Sequence, residues 1–145
     1  MNTNSPLTIA VTIVQTFHFN PVELKLISSL PVPTEHEEQR ALVSWWRKSL
    51  PDVRIYAIPN GGARGIKTAS KLKLEGVSAG VPDLEAPAIG LYIEMKRQKG
   101  GSLSPEQKDW HQYLIDCGYT VITPKGAADA VAQITQYLER KKAPS

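Results

Sequence analysis

Three residues in the stretch "GVPDLEAPAIGLYIEMK", residues 80 to 96, have the types and spacing to do chemistry: Asp83, Glu94 and Lys96. The stretch reads as a β-hairpin. Side chains alternate faces along a strand, so Leu91, Ile93 and Met95 point one way and Tyr92, Glu94 and Lys96 the other. A turn centred on Ala88 and Ile89 sets Asp83 directly opposite Glu94, with Leu84 and Ala86 on the apolar face with Ile93. Opposed residues lie roughly 4.5 to 5.5 Å apart, and like charges so placed are destabilising. A divalent cation between the two carboxylates would remove the repulsion, and hard oxygen donors suit Mg²⁺ or Mn²⁺. Lys96, on the same face, is placed to orient an attacking water or to meet negative charge on a substrate. The same pattern also reads as a solvated polar face with Lys96 as a cross-strand partner. Spacing alone leaves both readings open.

The flanking elements must hold this hairpin. Thr34 with Glu37 three positions on is a capping box, and it opens a helix that runs to about Ser49, before Pro51. "VRIYAI" reads as a strand and "NGGARG" as a turn; "IKTASKLKLEG" reads as a short helix closed by Gly76. The hairpin strands span about Pro82 to Ala86 and Leu91 to Met95. "SPEQKDWHQYLIDCG" is a helix with Ser104 as N-cap, Pro105 at its first position and Gly118 as stop. "YTVIT" is a strand, and "KGAADAVAQITQYLERKK" a closing amphipathic helix. The expected class is α/β, a small mixed sheet flanked by helices in the order αβββαβ with a closing helix.

Residues 1–33 alternate short apolar runs with prolines and read as an N-terminal extension; residues 34–140 read as one domain and 141–145 as a tail. A chain of 145 residues is long enough for a core without staples. Its 17 Lys and Arg against 14 Asp and Glu give a net charge of +3, which permits a polyanionic partner without demanding one. One cysteine, Cys117, excludes an intrachain disulfide framework, fits a reducing, cytoplasmic compartment and reads as a small buried hydrophobe. No run of apolar residues reaches membrane-spanning length, and the apolar N-terminal run lacks the positive start of a signal peptide.

The residues "GVPD" and "YIEMK" together spell the PD…ExK signature of the PD-(D/E)XK nuclease superfamily, and the local context resembles its VRR-NUC branch. "EHEEQRALVSWW", "PNGGARG", "GVSAGVPDL", "LYIEMK" and "LSPEQKDWHQYLIDCGYTVI" carry the resemblance, in the right order, over about residues 34 to 139. It implies a restriction-endonuclease-like core and metal-dependent hydrolysis of DNA phosphodiesters. Asp83 and Glu94 become metal ligands, with the Met95 carbonyl as a further ligand. Lys96 becomes the catalytic lysine, and Gln107 matches the glutamine of the helix after the ExK strand. The family also uses a first-helix glutamate; Glu35 fits it best and Glu38 competes. Stand-alone relatives resemble phage Holliday-junction resolvases, which implies a branched-DNA substrate and a homodimer. A non-specific nicking or single-strand nuclease, or a fold that binds branched DNA without cutting, are the alternatives.

Other residues weigh less. Glu35 and Glu38 head the stripe of Leu42, Trp45 and Trp46, although acids in a first turn need no reason beyond the helix dipole. Gln107 completes a capping box from Ser104 and also falls on a face with Trp110, Leu114 and Cys117. Arg64, Lys67, Lys71 and Lys73, and Arg97 and Lys99 after the hairpin, are candidates for DNA-phosphate contact or simply solvated charge. His18, His36 and His111 show no zinc-ligand spacing, and the three tryptophans read as core.

Overall fold

A computed structural model of the chain describes residues 21, 22, 25, 29–59 and 66–143. The apolar run near the N-terminus and the "NGGARG" turn lie outside them. Residues 21, 22 and 25 are helical.

Helix α1 spans Glu35–Ser49 and begins with the expected capping box: Glu37 N–H donates to Thr34 Oγ1 at 3.2 Å and Thr34 N–H to Glu37 Oε2 at 2.7 Å. Strand β1 is Tyr56–Ala57, α2 is Ile66–Leu74, β2 is Leu84–Ala86 and β3 is Leu91–Ile93. Helix α3 is Pro105–Asp116, β4 is Thr120–Ile122 and α4 is Ala127–Lys142. The sheet runs β1-β2-β3-β4, with β1–β2 and β2–β3 antiparallel and β3–β4 parallel. This is the expected mixed α/β sheet flanked by helices. Helix α3 is the crossover that parallel pairing of β3 and β4 requires.

The hairpin register is the one read from the alternation, Leu84 facing Ile93 and Ala86 facing Leu91. Its turn is a single 3₁₀ turn, Pro87–Ile89, closed by Gly90 at φ 62°. Leu84, Ala86, Leu91, Ile93 and Met95 all lie on the core side, where Leu42 and Trp46 of α1 and Ala130, Ile134 and Tyr137 of α4 cover them. Trp46 and Tyr137 have buried polar tips, and both are satisfied: the indole N–H donates to Val53 O at 2.7 Å and the phenol to Ile89 O at 2.5 Å.

The strands are shorter than the sequence suggests, for identifiable reasons. Val53 does not join β1, because its N–H turns back to Leu50 O at 3.1 Å and its carbonyl accepts from Trp46. The β2–β3 ladder stops at Leu84–Ile93 because the next β3 amide that would face β2, Met95 N–H, donates to the Asp83 carboxylate at 2.8 Å. On its other side β3 runs on along β4: Glu94 N–H donates to Ile122 O at 2.9 Å and Lys96 N–H to Pro124 O at 3.0 Å. The chain forks here. Cys117 departs from its expected burial; α3 ends at Asp116, and Cys117 is the exposed C-cap. Trp46 is core, Trp45 packs partly buried beside it, and Trp110 is half-buried, with its N–H on Ser78 Oγ at 3.0 Å.

Candidate active site

The fork between β2 and β3 opens into a cleft of about 470 Å³, lined by Glu35 and Gln39 of α1, Asp83, Glu94 and Gln107. Asp83 arrives at the end of the loop that feeds β2; Glu94 leaves β3 directly opposite. Gly80 lets that loop lie flush on the first turn of α3. At its φ of +90°, a Cβ would stand 2.5 Å from the Glu106 carbonyl carbon and oxygen and 2.8 Å from Gln107 N.

Glu94 and Lys96 are 1% and 6% exposed, which rules out the solvated-face reading. Lys96 Nζ lies 3.0 Å from Glu94 Oε1 and 3.3 Å from Gln107 Oε1. Gln107 Nε2 donates to the same Glu94 oxygen at 2.5 Å, while Ser104 N–H donates to Gln107 Oε1 at 2.9 Å. One glutamine therefore caps α3 and reaches Glu94 at the same time.

Glu94 Oε2 is buried with no hydrogen-bond partner. A buried carboxylate oxygen without a partner is costly. Burial, followed by the charge of Asp83, pushes the Glu94 carboxyl up to about 7 against the pull of Lys96. Burial also raises Asp83, opposed by the Met95 amide, and the charge of Glu35 raises it further. Two carboxyls forced upward together, one with an orphaned oxygen, are what a divalent cation would relieve. Among the described residues no three Asp, Glu, His or Cys side chains form a complete ligand set.

The VRR-NUC domain family matches residues 31–128. The chain belongs to the VRR-NUC nuclease family. A solved structure of a VRR_NUC domain protein is similar to it with a TM-score of 0.64 and 30% identity, covering 76% of this chain and 92% of that one. No curated protein matches. VRR-NUC membership gives the chain a nuclease-type function on DNA.

The VRR-NUC core brings Asp83, Glu94, Gln107 and Glu35 to one cleft, sets Lys96 behind its wall against Glu94 and Gln107, and assigns Glu38 a different place. Glu38 is 5% exposed and accepts from Ala127 N–H at 2.7 Å and Gln98 Nε2 at 2.5 Å. It caps α4 from another helix, because the α4 N-cap is Gly126, which has no side chain to do so. A Cβ there would stand 2.8 Å from Gln98 Cγ and 3.2 Å from Glu38 Oε1. Of the two first-helix acids, Glu35 alone lines the cleft. Glu38→Ala should cost about 2 kcal/mol by uncapping α4 and stranding Gln98, read as a lower Tm. Cleavage well below that Tm should persist, whereas Glu35→Ala should reduce cleavage and leave Tm in place.

The basic candidates are scattered. Lys71 is exposed and paired with Glu75 at 3.8 Å, and Arg97 and Lys99 are exposed after β3. Arg64 lies outside the described residues, and Lys67 is described only as a backbone position in α2. Met95 sits between the acid and the lysine, its side chain in the core and its N–H on Asp83. Two residues escape sequence reasoning. Gly80 is invisible as a contact until α3 is docked. His111 is buried behind the site at 8% exposure, and burial and the charge of Lys96 hold its pKa down.

Proposed function

We propose that this protein is a metal-dependent DNA endonuclease, and that its substrate is branched DNA such as a four-way junction. The observation that carries the metal reading is the orphaned, buried Glu94 oxygen beside Asp83, with an ammonium 3.0 Å from its partner oxygen. Asp83 and Glu94 would hold Mg²⁺ or Mn²⁺, with the Met95 carbonyl and Glu35 as further donors, directly or through water. The ion would supply Lewis-acid neutralisation of the scissile phosphate and make water more acidic.

The remaining roles fall to the chain. From its place against Glu94 and Gln107, the Lys96 ammonium would orient the attacking water and offset the developing phosphoryl charge, or, once it has given up its own proton, the neutral amine would take the water's. Gln107 holds both Glu94 Oε1 and the Lys96 ammonium, so neither would need to reorganise during the reaction. Tyr92, Leu91 and Ile93 fix the strand from which both residues project. The branched-DNA part rests on the likeness to stand-alone resolvase-like members; in a two-fold homodimer, two such clefts would make paired nicks.

The test is a gel assay of labelled four-way junction, flap, single-strand and linear duplex DNA with Mg²⁺, Mn²⁺ or EDTA. Asp83→Asn runs alongside, because asparagine keeps an acceptor for Met95 N–H. Metal-dependent cuts lost in the variant are expected, paired symmetrically on the junction. Equal cutting of all four substrates would replace the junction reading with a non-specific nuclease. Junction binding without cutting in either metal would leave a binding module.

The raised Glu94 carboxyl also predicts a pH signature. A carboxyl that binds its proton more tightly folded than unfolded destabilises the fold as pH rises from its ordinary 4.5 through about 7. In EDTA, the Tm of the wild type should therefore fall relative to Glu94→Gln across that window. Saturating Mg²⁺ should flatten the difference, since cation binding takes the deprotonated form and releases a proton.

A further inference from the structure

Helix α1 carries a second face that the site does not use. His36, Arg40 and Arg47 follow at spacings of four and seven, one straight stripe on a helix. Ser44 and Lys48 flank it. Together with Gln39 these residues line an open groove of about 500 Å³, whose floor is Val43, packed partly buried on the core. Gln39 also lines the active cleft, so the groove and the cleft share a wall. Arg40, Arg47 and Lys48 are exposed, and among the described residues they form no ion pair. The nearest acid, Glu37, feels the charge of Arg40, but its carboxylate is already taken by the Thr34 amide and hydroxyl. Glu38, the other acid of that turn, is buried in the α4 cap.

Three unpaired cations on one helix, separated by Gln39 from the cleft that the nuclease reading assigns to a phosphodiester, fit the backbone of the same nucleic acid. We infer that DNA leaving the cleft passes Gln39 and runs along the outer face of α1, its phosphates meeting Arg40, Arg47 and Lys48, with His36 and Ser44 as hydrogen-bonding partners. From His36 to Arg47 the track is about 16 Å long at ~1.5 Å per residue, or about half a turn of duplex. Contacts of this kind position the backbone and carry no base sequence. The inference rests on the nuclease reading and adds to it the surface that holds DNA outside the scissile bond.

The experiment is fluorescence anisotropy of a labelled four-way junction and a duplex of the same sequence, titrated at several salt concentrations. All proteins carry Asp83→Asn, so that binding is read without cutting. Arg40→Ala/Arg47→Ala/Lys48→Ala is compared with Arg140→Ala/Lys141→Ala/Lys142→Ala, which removes the same charge from the exposed end of α4. The α1 variant should weaken binding at least about tenfold and reduce the salt slope by roughly two to three, about one per lost phosphate contact. The α4 variant should do neither. Melts monitored by circular dichroism check folding, and Arg40→Gln/Arg47→Gln replaces the triple variant if alanine lowers its Tm. Equal affinity and slope in the α1 and α4 variants would overturn the inference while the nuclease reading stands. A change in molar mass by light scattering with an unchanged slope would assign the stripe to contact between copies, and also overturn it. If the parent protein neither binds these DNAs nor, with Asp83 restored, cuts them, both readings fail together.

Discussion

Replacing Lys96 with methionine should lower the cleavage rate about 10²–10³-fold, the range for removing one preorganised charge from a transition state. The substitution keeps the apolar stem, one atom shorter, of a side chain that is 6% exposed, so the fold should survive it. Binding of DNA in the absence of turnover should change little, because the ammonium is turned inward to Glu94 and Gln107 rather than outward. A second effect separates a charge role from a packing role. Lys96 draws the Glu94 carboxyl down against burial and the charge of Asp83. Without it that carboxyl rises further, and residual activity should need higher pH, or more Mg²⁺, to appear. Single-turnover rates across pH read both effects. Retention of activity within about threefold, with an unmoved pH profile, would remove Lys96 from the mechanism.

Gly80→Ala should be the most damaging change that touches no charged group. Its Cβ would meet the backbone of Glu106 and Gln107, which cannot rotate away, and alanine would also carry strain at φ +90°. Strain and overpacking together should cost on the order of 2–4 kcal/mol, a Tm drop on the order of 10 °C for a domain of this size. Activity should fall further than stability at temperatures where the protein stays folded, because pushing α3 outward withdraws Gln107 from Glu94 and Lys96. Gly76→Ala is the control. Its φ is +96° with nothing within 4 Å, so it carries the strain without the collision. If both alanines give the same Tm and the same rate, the close approach of loop and helix contributes nothing.

What the sequence reveals and what it hides divide along sequence separation. Both capping boxes, the hairpin register and the apolar face of β3 depend on residues within a few positions of each other, and periodicity exposes them. The PD…ExK pattern reaches across one hairpin and survives for the same reason. Glu38 could not be read in this way. Its partners, Ala127 N–H and the Gln98 amide, are 89 and 60 residues away. On the helix alone, Glu35 and Glu38 look alike, two acids at the head of one stripe. Extending the helical face to Cys117 misleads, because the last turn of α3 is uncovered and residues 115 to 119 are all exposed. The polar face of β3 was ambiguous because alternation says which side a residue takes, not whether another layer covers that side.

The bond from Met95 N–H to Asp83 gives the fork a clock. Amides inside the β2–β3 ladder are shielded by a neighbouring strand and exchange with deuterium only when that pairing opens. The Met95 amide is shielded by a side chain at 2.8 Å, so its exchange is timed by how long one carboxylate holds on. Solvent protons should reach it ahead of its ladder neighbours, at the point where the strands part. On the proposed hydrolytic reading, water is needed at that place and nowhere else in the core, so the spot where the sheet first yields to solvent would also be the spot where water attacks.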